Sequence, residues 1–256
     1  MSALESALWQ LSIVGYAILL VKLLWTRLAV VYKSFCIYLA VELTRSLVLL
    51  SLDINRSLYG WVWVATAPVV WLVYILVVLE VYSLVLRKYD GLATVSRWAL
   101  KISLGVAIII SSLMLLPEVA ASTRFYPVML AVTAIERIVV SSLVIFLLLV
   151  TGFVVYYRVS LARNTLVHVV LYTFYFLMIA TALLYRDLTG HEATRLVSTL
   201  MMGGTIAALF GWLWLLTRAG ESALAVARPR FAIDDEHRLL EQLNSINSAL
   251  LRSARK

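Results

Sequence analysis

The sequence predicts an all-α integral membrane protein with seven transmembrane helices. Three observations predict it: the composition, the length of the apolar runs and the placement of the basic residues. Of the 256 residues, 63% are hydrophobic and 14% are charged, and the mean hydropathy is +0.95. A soluble domain is about 45–50% apolar and about 25% charged. A soluble fold of this size could not bury so much apolar surface, so a lipid bilayer is the expected solvent and partner.

Seven apolar runs are each close to the ~20 residues that a helix needs to cross a bilayer. They are rich in Leu, Val, Ile and Ala without strict alternation, which favours helices over β-barrel strands. Pro68 lies inside the third run, where we expect it to kink the helix. The runs cover residues 7–25, 34–52, 61–86, 98–116, 128–155, 166–185 and 197–217, and we number them segments 1 to 7.

The basic residues predict the orientation. Most of them lie in the links after segments 1, 3 and 5 and in the C-terminal tail, and loops rich in lysine and arginine stay in the cytoplasm. We therefore predict an external N-terminus, a cytoplasmic C-terminus and a multi-pass position in the inner or plasma membrane. No basic residue precedes segment 1, which indicates a transmembrane helix and not a cleaved signal peptide. The basic residues around these three links and at the start of the tail are Lys22, Arg27, Lys33, Arg87, Lys88, Arg97, Lys101, Arg158, Arg163, Arg218, Arg228 and Arg230, whereas the links after segments 2, 4 and 6 hold Arg56, Arg124, Arg186 and Arg195.

Four charged residues inside apolar runs are predicted to share one layer of the bundle. Arg45 and Glu42 lie about 10 and 15 Å from the outer end of segment 2, and Glu136 and Arg137 lie about 12–14 Å from that of segment 5. A lone ionised group at this depth costs from about 2.5 kcal/mol upward, so such residues usually face the interior and pair. Glu42 and Arg45 can also pair within their helix. We predict crossed pairing of Glu42 with Arg137 and of Arg45 with Glu136, directly or through water.

These four residues allow two interpretations. In the functional one, they form a polar ligand site or an ion-coupled switch at mid-depth. In the structural one, they form a static network that fixes how the helices align. A buried ion pair with a purely structural role could often be replaced by apolar residues at no loss of stability, which favours the functional interpretation. Both interpretations stay open at this point.

Three further residues are secondary candidates. Lys22 in segment 1 and Glu80 in segment 3 both lie toward the cytoplasmic ends of their segments. They could pair with each other, or each side chain could extend to the membrane surface. His168 lies near the start of segment 6, where it is either a titrating group in a gate or a hydrogen-bonded histidine at the membrane boundary.

The chain is predicted to divide into a bundle, residues 1–220, and a cytoplasmic tail, residues 221–256. Pro229 ends the last helix, and Asp234 or Asp235 can cap a new one. An apolar stripe then follows at coiled-coil spacing. The tail could form a coiled coil with another copy or a cytoplasmic partner, lie on the anionic inner leaflet, or dock on the bundle. The stripe comprises Leu239, Leu243, Ile246 and Leu250.

Several activities lack their residues. The single cysteine, Cys36, excludes a multi-cysteine metal site, segment 7 has no lysine for a retinal, and only His168 lies within a run for haem ligation. No catalytic motif occurs, so we expect no enzyme, no cofactor, no metal and no nucleic-acid partner. The preferred prediction is a receptor- or sensor-like protein of unknown ligand. The alternatives are a small-solute or ion-coupled transporter of three-plus-one-plus-three helices and a structural subunit of a membrane complex.

Overall fold

The computed structural model describes residues 3–52, 57–86, 109, 127–156, 161–189, 194–221, 224–225, 241–245 and 248. Six long helices lie in these ranges, and they overlap predicted segments 1, 2, 3, 5, 6 and 7. Segment 4, predicted at 98–116, lies outside the described residues apart from position 109. The helices are α1 (Ala3–Trp25), α2 (Lys33–Leu50), α3 (Ser57–Leu86), α4 (Pro127–Tyr156), α5 (Arg163–Thr189) and α6 (Thr194–Leu215).

Five of the six described helices, all except α2, are long and apolar enough to cross a membrane. By length and composition, these five helices indicate a helical membrane protein. The helix α2 differs because it carries Lys33, Glu42 and Arg45 within 18 residues. Its charges, and not its length, separate it from the others.

The described helices form a closed ring in the order α1, α2, α3, α4, α5, α6, with α6 packed back against α1. The helix α3 also contacts α5. Because α2 and α4 both pack against α3, α3 lies between them. Charged groups of α2 and α4 can therefore meet only across the interior or around α3.

Aromatic side chains fill the interior of the ring. The indole of Trp212 lies 4.7 Å from the ring of Tyr172 and 5.0 Å from that of Phe35, between ring centroids. Tyr74 meets Phe176 edge-to-face at 5.1 Å, and such pairs are worth about 0.5–1.5 kcal/mol beyond their buried area. We call the set the aromatic core: Tyr16, Phe35, Tyr38, Tyr74, Tyr172, Tyr175, Phe176 and Trp212.

One end of the bundle collects basic residues and holds the chain that follows α6. We call it the basic end; it carries Lys22, Arg27, Lys33, Arg163 and Arg218. Short 3-10 helices lie there at Leu28–Val30 and Arg218–Glu221. The strand β1 (Leu161–Ala162) pairs antiparallel with β2 (Leu224–Ala225), with Leu161 opposite Ala225. The segment after α6 is therefore attached to the base of α5.

The tail is described only in part. Residues 241–245 are helical, and Leu243 is 1% exposed and belongs to the hydrophobic core. Of the three alternatives for the tail, this burial supports a helix docked on the bundle. The other members of the predicted stripe, Leu239, Ile246 and Leu250, lie outside the described residues.

Candidate functional site

Glu42 and Arg45 of α2 form a loose ion pair. The Oε1 atom of Glu42 lies 3.9 Å from Nη1 of Arg45, too far for a hydrogen bond. The helix α3 positions Arg45, because its Nε donates to Oγ1 of Thr66 at 3.1 Å and its guanidinium carbon lies 5.8 Å from the ring centroid of Trp63. Charge alone therefore holds Glu42 to Arg45, whereas Arg45 has two further contacts with α3.

The charged residues of α4 lie near this pair. The Glu136 carboxylate is attracted electrostatically to Arg45 and to Arg186 of α5, and it repels Glu42. Arg137, the next residue, is buried. The structure thus brings Glu42, Arg45 and Glu136 within electrostatic range, and the crossed pairing stays a prediction. We call Glu42, Arg45, Glu136 and Arg137 the charge layer.

Arg186 also interacts with the charge layer, although it lies beyond the end of predicted segment 6. Segment 6 was predicted to end at residue 185, whereas α5 continues to Thr189. The extra turn keeps Arg186 in the helix, within electrostatic range of Glu136. The apolar run did not indicate this extra turn, because a helix can continue through polar residues beyond its apolar run.

Four buried tyrosines lie within electrostatic range of Glu42. The hydroxyl of Tyr38 donates to that of Tyr175 at 3.2 Å, and the hydroxyls of Tyr74 and Tyr175 are also 3.2 Å apart. Each of these, and Tyr16, interacts electrostatically with Glu42. We call Tyr16, Tyr38, Tyr74 and Tyr175 the tyrosine cluster. It joins four helices at their hydroxyl tips, an arrangement that no single segment of the sequence reveals.

His168 lies in a different environment from the predicted boundary site. It is 1% exposed, and its ring centroid lies 4.3 Å from that of Tyr32 and 4.9 Å from that of Phe35. Neither ring nitrogen has a hydrogen-bond partner among the described residues, and the titrating and hydrogen-bonded interpretations both stay predictions. The environment differs because α5 begins three residues before the predicted segment, and the chain around Tyr32 covers the histidine.

Lys22 and Glu80 each bind the end of a neighbouring helix instead of each other. The Glu80 carboxylate accepts hydrogen bonds from the backbone N–H groups of Ser34 at 2.8 Å and Phe35 at 3.2 Å. These are N–H groups of the first turn of α2, which lack partners within their own helix and favour a negative charge. Lys22 donates through Nζ to the carbonyl of Leu213, in the last turn of α6. The paired interpretation of these two residues is therefore replaced by two helix caps.

A hydrogen-bonded group at the basic end holds the segment after α6. The Tyr32 hydroxyl donates to Oε2 of Glu221 at 2.8 Å. Asn164, which is fully buried, donates through Nδ2 to the carbonyl of Thr217 at 2.7 Å and to Oε2 of Glu221 at 3.3 Å. Burial raises the pKa of the Tyr32 hydroxyl, so it stays protonated as the donor. We call Tyr32, Asn164, Thr217 and Glu221 the clasp.

Gly220 is required for the clasp to close. A Cβ atom at this position would lie 2.3 Å from Oδ1 of Asn164, closer than real Cβ contacts allow. The sequence did not indicate any member of the clasp, because the basic residues of the links predict only the orientation of the chain. A buried asparagine beside a glycine-containing link would have been the available signal.

Comparison with protein-family models, with curated proteins and with solved structures finds no match to this chain. Within the described part of the chain, no group of three or more His, Cys, Asp or Glu side chains could hold a metal ion. The argument for function therefore depends on the charge layer, the tyrosine cluster and the clasp.

Proposed function

We propose that the protein is a seven-helix membrane receptor or sensor, with its N-terminus outside and its C-terminus in the cytoplasm. In this proposal the charge layer receives the signal, and the segment after α6 carries it out of the bundle. The observation that supports it most is the position of Glu42. Its carboxylate lies 3.9 Å from the guanidinium of Arg45, and its charge also acts on the hydroxyls of the tyrosine cluster.

Glu42 has two alternative sets of partners, which is what a two-state element needs. The 3.9 Å separation from Arg45 makes the present pairing dependent on charge alone. A proton on Glu42, or a small anion that binds Arg45, would remove that attraction and leave the tyrosine hydroxyls as the better partners. A signal shifts a population only through its different affinity for the two states, and here the difference lies in the pairing of Glu42.

The helix α2 connects the charge layer to the clasp. Phe35, Tyr38 and Glu42 are spaced by three and four residues and so lie on one face of α2. Phe35 contacts His168, whose ring also contacts Tyr32. Tyr32 directly precedes α2 and donates to Glu221. A displacement of α2 at Glu42 would therefore reach the segment after α6 through Tyr32.

The filling of the bundle favours sensing over transport. The aromatic core occupies the interior between Glu42 and the basic end, whereas the Arg45 side chain keeps 16% of its surface exposed. A ligand could reach the charge layer from the end opposite the basic end without opening the aromatic core. A transporter would need to open that core in every cycle, and a structural subunit would need no change at all.

Reporter fusions test the proposed topology. A reporter fused after Gly60 should lie outside, and one fused after Lys256 should lie in the cytoplasm, because the basic end is proposed to face the cytoplasm. Paired alkaline phosphatase and fluorescent-protein activities measure the two sides. Both fusions reporting the same side would contradict the orientation and the seven crossings.

Ligand-induced stabilisation tests the function. We expect a small anion or amine to raise the thermal midpoint of the detergent-purified protein. A ligand present at a hundred times its dissociation constant stabilises by about 2.7 kcal/mol, roughly 5–10 °C for a bundle of this size. The shift should disappear in Glu42→Gln/Arg45→Gln and persist in Glu5→Gln/Arg195→Gln, which neutralises the charge pair between α1 and α6. A Glu42/Arg45 variant that keeps every shift would leave only the structural interpretation.

A further inference from the structure

An apolar groove runs between α1 and α6 on the outside of the ring. Its volume is about 60 Å³, and its lining includes Val14, Gly15 and Ile18 of α1 and Leu209, Phe210 and Leu213 of α6. Gly15 lets the two helices approach, since a Cβ atom there would lie 3.1 Å from Cδ1 of Leu209. Val14, Ile18 and Phe210 are each about half exposed. Both helices are apolar enough to cross a membrane, so the groove faces hydrocarbon.

The groove ends among positive charges. Lys22 is fixed at its end by the hydrogen bond to the Leu213 carbonyl. Arg27 follows α1, and Arg218 follows α6; both are exposed. Trp25 and Trp214, 86% and 84% exposed, lie within four residues of Arg27 and Arg218 in the sequence, and tryptophan prefers the depth of lipid headgroups. The nearby carboxylate of Glu221 is already bound by Tyr32 and Asn164.

Arg27 supplies an independent observation. Its φ angle is 59°, a left-handed conformation that glycine adopts without strain. An observed backbone outlier of this kind suggests a function for the side chain. A glycine could make the same backbone turn, so the turn alone does not explain why an arginine stands at position 27.

We propose that this groove and the three basic residues at its end, Lys22, Arg27 and Arg218, form a binding site for one anionic phospholipid. An acyl chain lies in the groove, and Lys22, Arg27 and Arg218 surround the phosphate. Basic sites between transmembrane helices recognise anionic headgroups in this way. The site shares no residue with the charge layer, so the two proposals are independent.

Delipidated protein in neutral detergent tests the site. Phosphatidylglycerol should raise the thermal midpoint by about 5 °C more than phosphatidylcholine with the same acyl chains, and the excess should fall at high salt. Native mass spectrometry should show one preferentially retained phosphatidylglycerol. The variant Arg27→Gly/Arg218→Gln should lose most of the excess, while Lys33→Gln, which removes one charge from a helix outside the groove, should keep it.

Two further experiments distinguish binding of the headgroup alone from binding of the whole lipid. Glycerol phosphate without acyl chains should give no shift, and Ile18→Trp, which fills the groove without changing charge, should reduce binding of phosphatidylglycerol. Equal shifts with the two lipids, an unchanged excess in Arg27→Gly/Arg218→Gln, or a full shift with glycerol phosphate would each overturn the proposal. Should the double variant fail to fold, the Ile18→Trp variant still decides, because it changes the groove and leaves every charge in place.

Discussion

Replacing Trp212 with alanine should lower the thermal midpoint by roughly 6–12 °C, equivalent to about 3 kcal/mol for a bundle of this size. Trp212 is 1% exposed and contacts Phe35, Tyr172 and Tyr175. Truncating a buried tryptophan costs about 3–5 kcal/mol in soluble proteins. We expect the lower value because lipid is as apolar as the core, so the loss comes from the cavity and the missing contacts. Unfolding followed by a cysteine-reactive dye or by circular dichroism measures it.

Trp214→Ala is the matched control. This residue lies in the same helix two positions further on, but it is 84% exposed. A surface substitution usually changes stability by less than about 0.5 kcal/mol, so its midpoint should stay within about 2 °C of wild type. Equal losses for the two variants would contradict the placement of Trp212 in the aromatic core.

Arg45→Gln should destabilise the protein more than Glu42→Gln/Arg45→Gln does. The single change leaves the Glu42 carboxylate buried beside the tyrosine cluster without its nearest cation. Breaking a buried pair by removing one partner costs about 3–5 kcal/mol. The double change removes both charges and should recover much of that loss. Since Thr66 and Trp63 lose Arg45 in both variants, the difference between them isolates the charge interaction.

The pair between Glu5 and Arg195 provides the comparison. Its atoms are closer, 3.4 Å, but the Arg195 side chain is 75% exposed. A cycle of Gln substitutions at these two positions should give a coupling of about 0–1 kcal/mol. The effects of Glu42→Gln and Arg45→Gln could instead be additive, with a coupling energy no larger than that between Glu5 and Arg195. The two charges would then not stabilise each other.

The helices were predictable from the sequence, because a helix that crosses a bilayer must be an apolar run of near-constant length. The predicted segment 61–86 corresponds to α3 at Ser57–Leu86, and 128–155 corresponds to α4 at Pro127–Tyr156. The ends were less predictable. The helix α5 exceeds its apolar run at both ends, so Arg186 lies within a helix although the predicted segment ended before it.

The partners of the buried polar groups were not predictable, because they depend on which helices become neighbours. Depth alone allowed Glu80 either to pair with Lys22 or to extend to the membrane surface, whereas its carboxylate accepts hydrogen bonds from the first turn of α2. The depth of a side chain follows from its position along the helix. The direction in which it points depends on how the helices pack in the ring. The same limit applies to the tyrosine hydroxyls, which converge from four separate helices.

Hydrogen exchange at the clasp in Glu42→Gln tests the central claim, that the pairing of Glu42 is communicated to the segment after α6. The informative N–H groups are those of Thr217 and Gly220, bound to Asn164 and Thr217. Glu42→Gln should speed their exchange about tenfold, a loss of about 1.4 kcal/mol of local protection, while Glu5→Gln should not. Exchange at the clasp equal to wild type, with faster exchange confined to α2 around residue 42, would contradict the account.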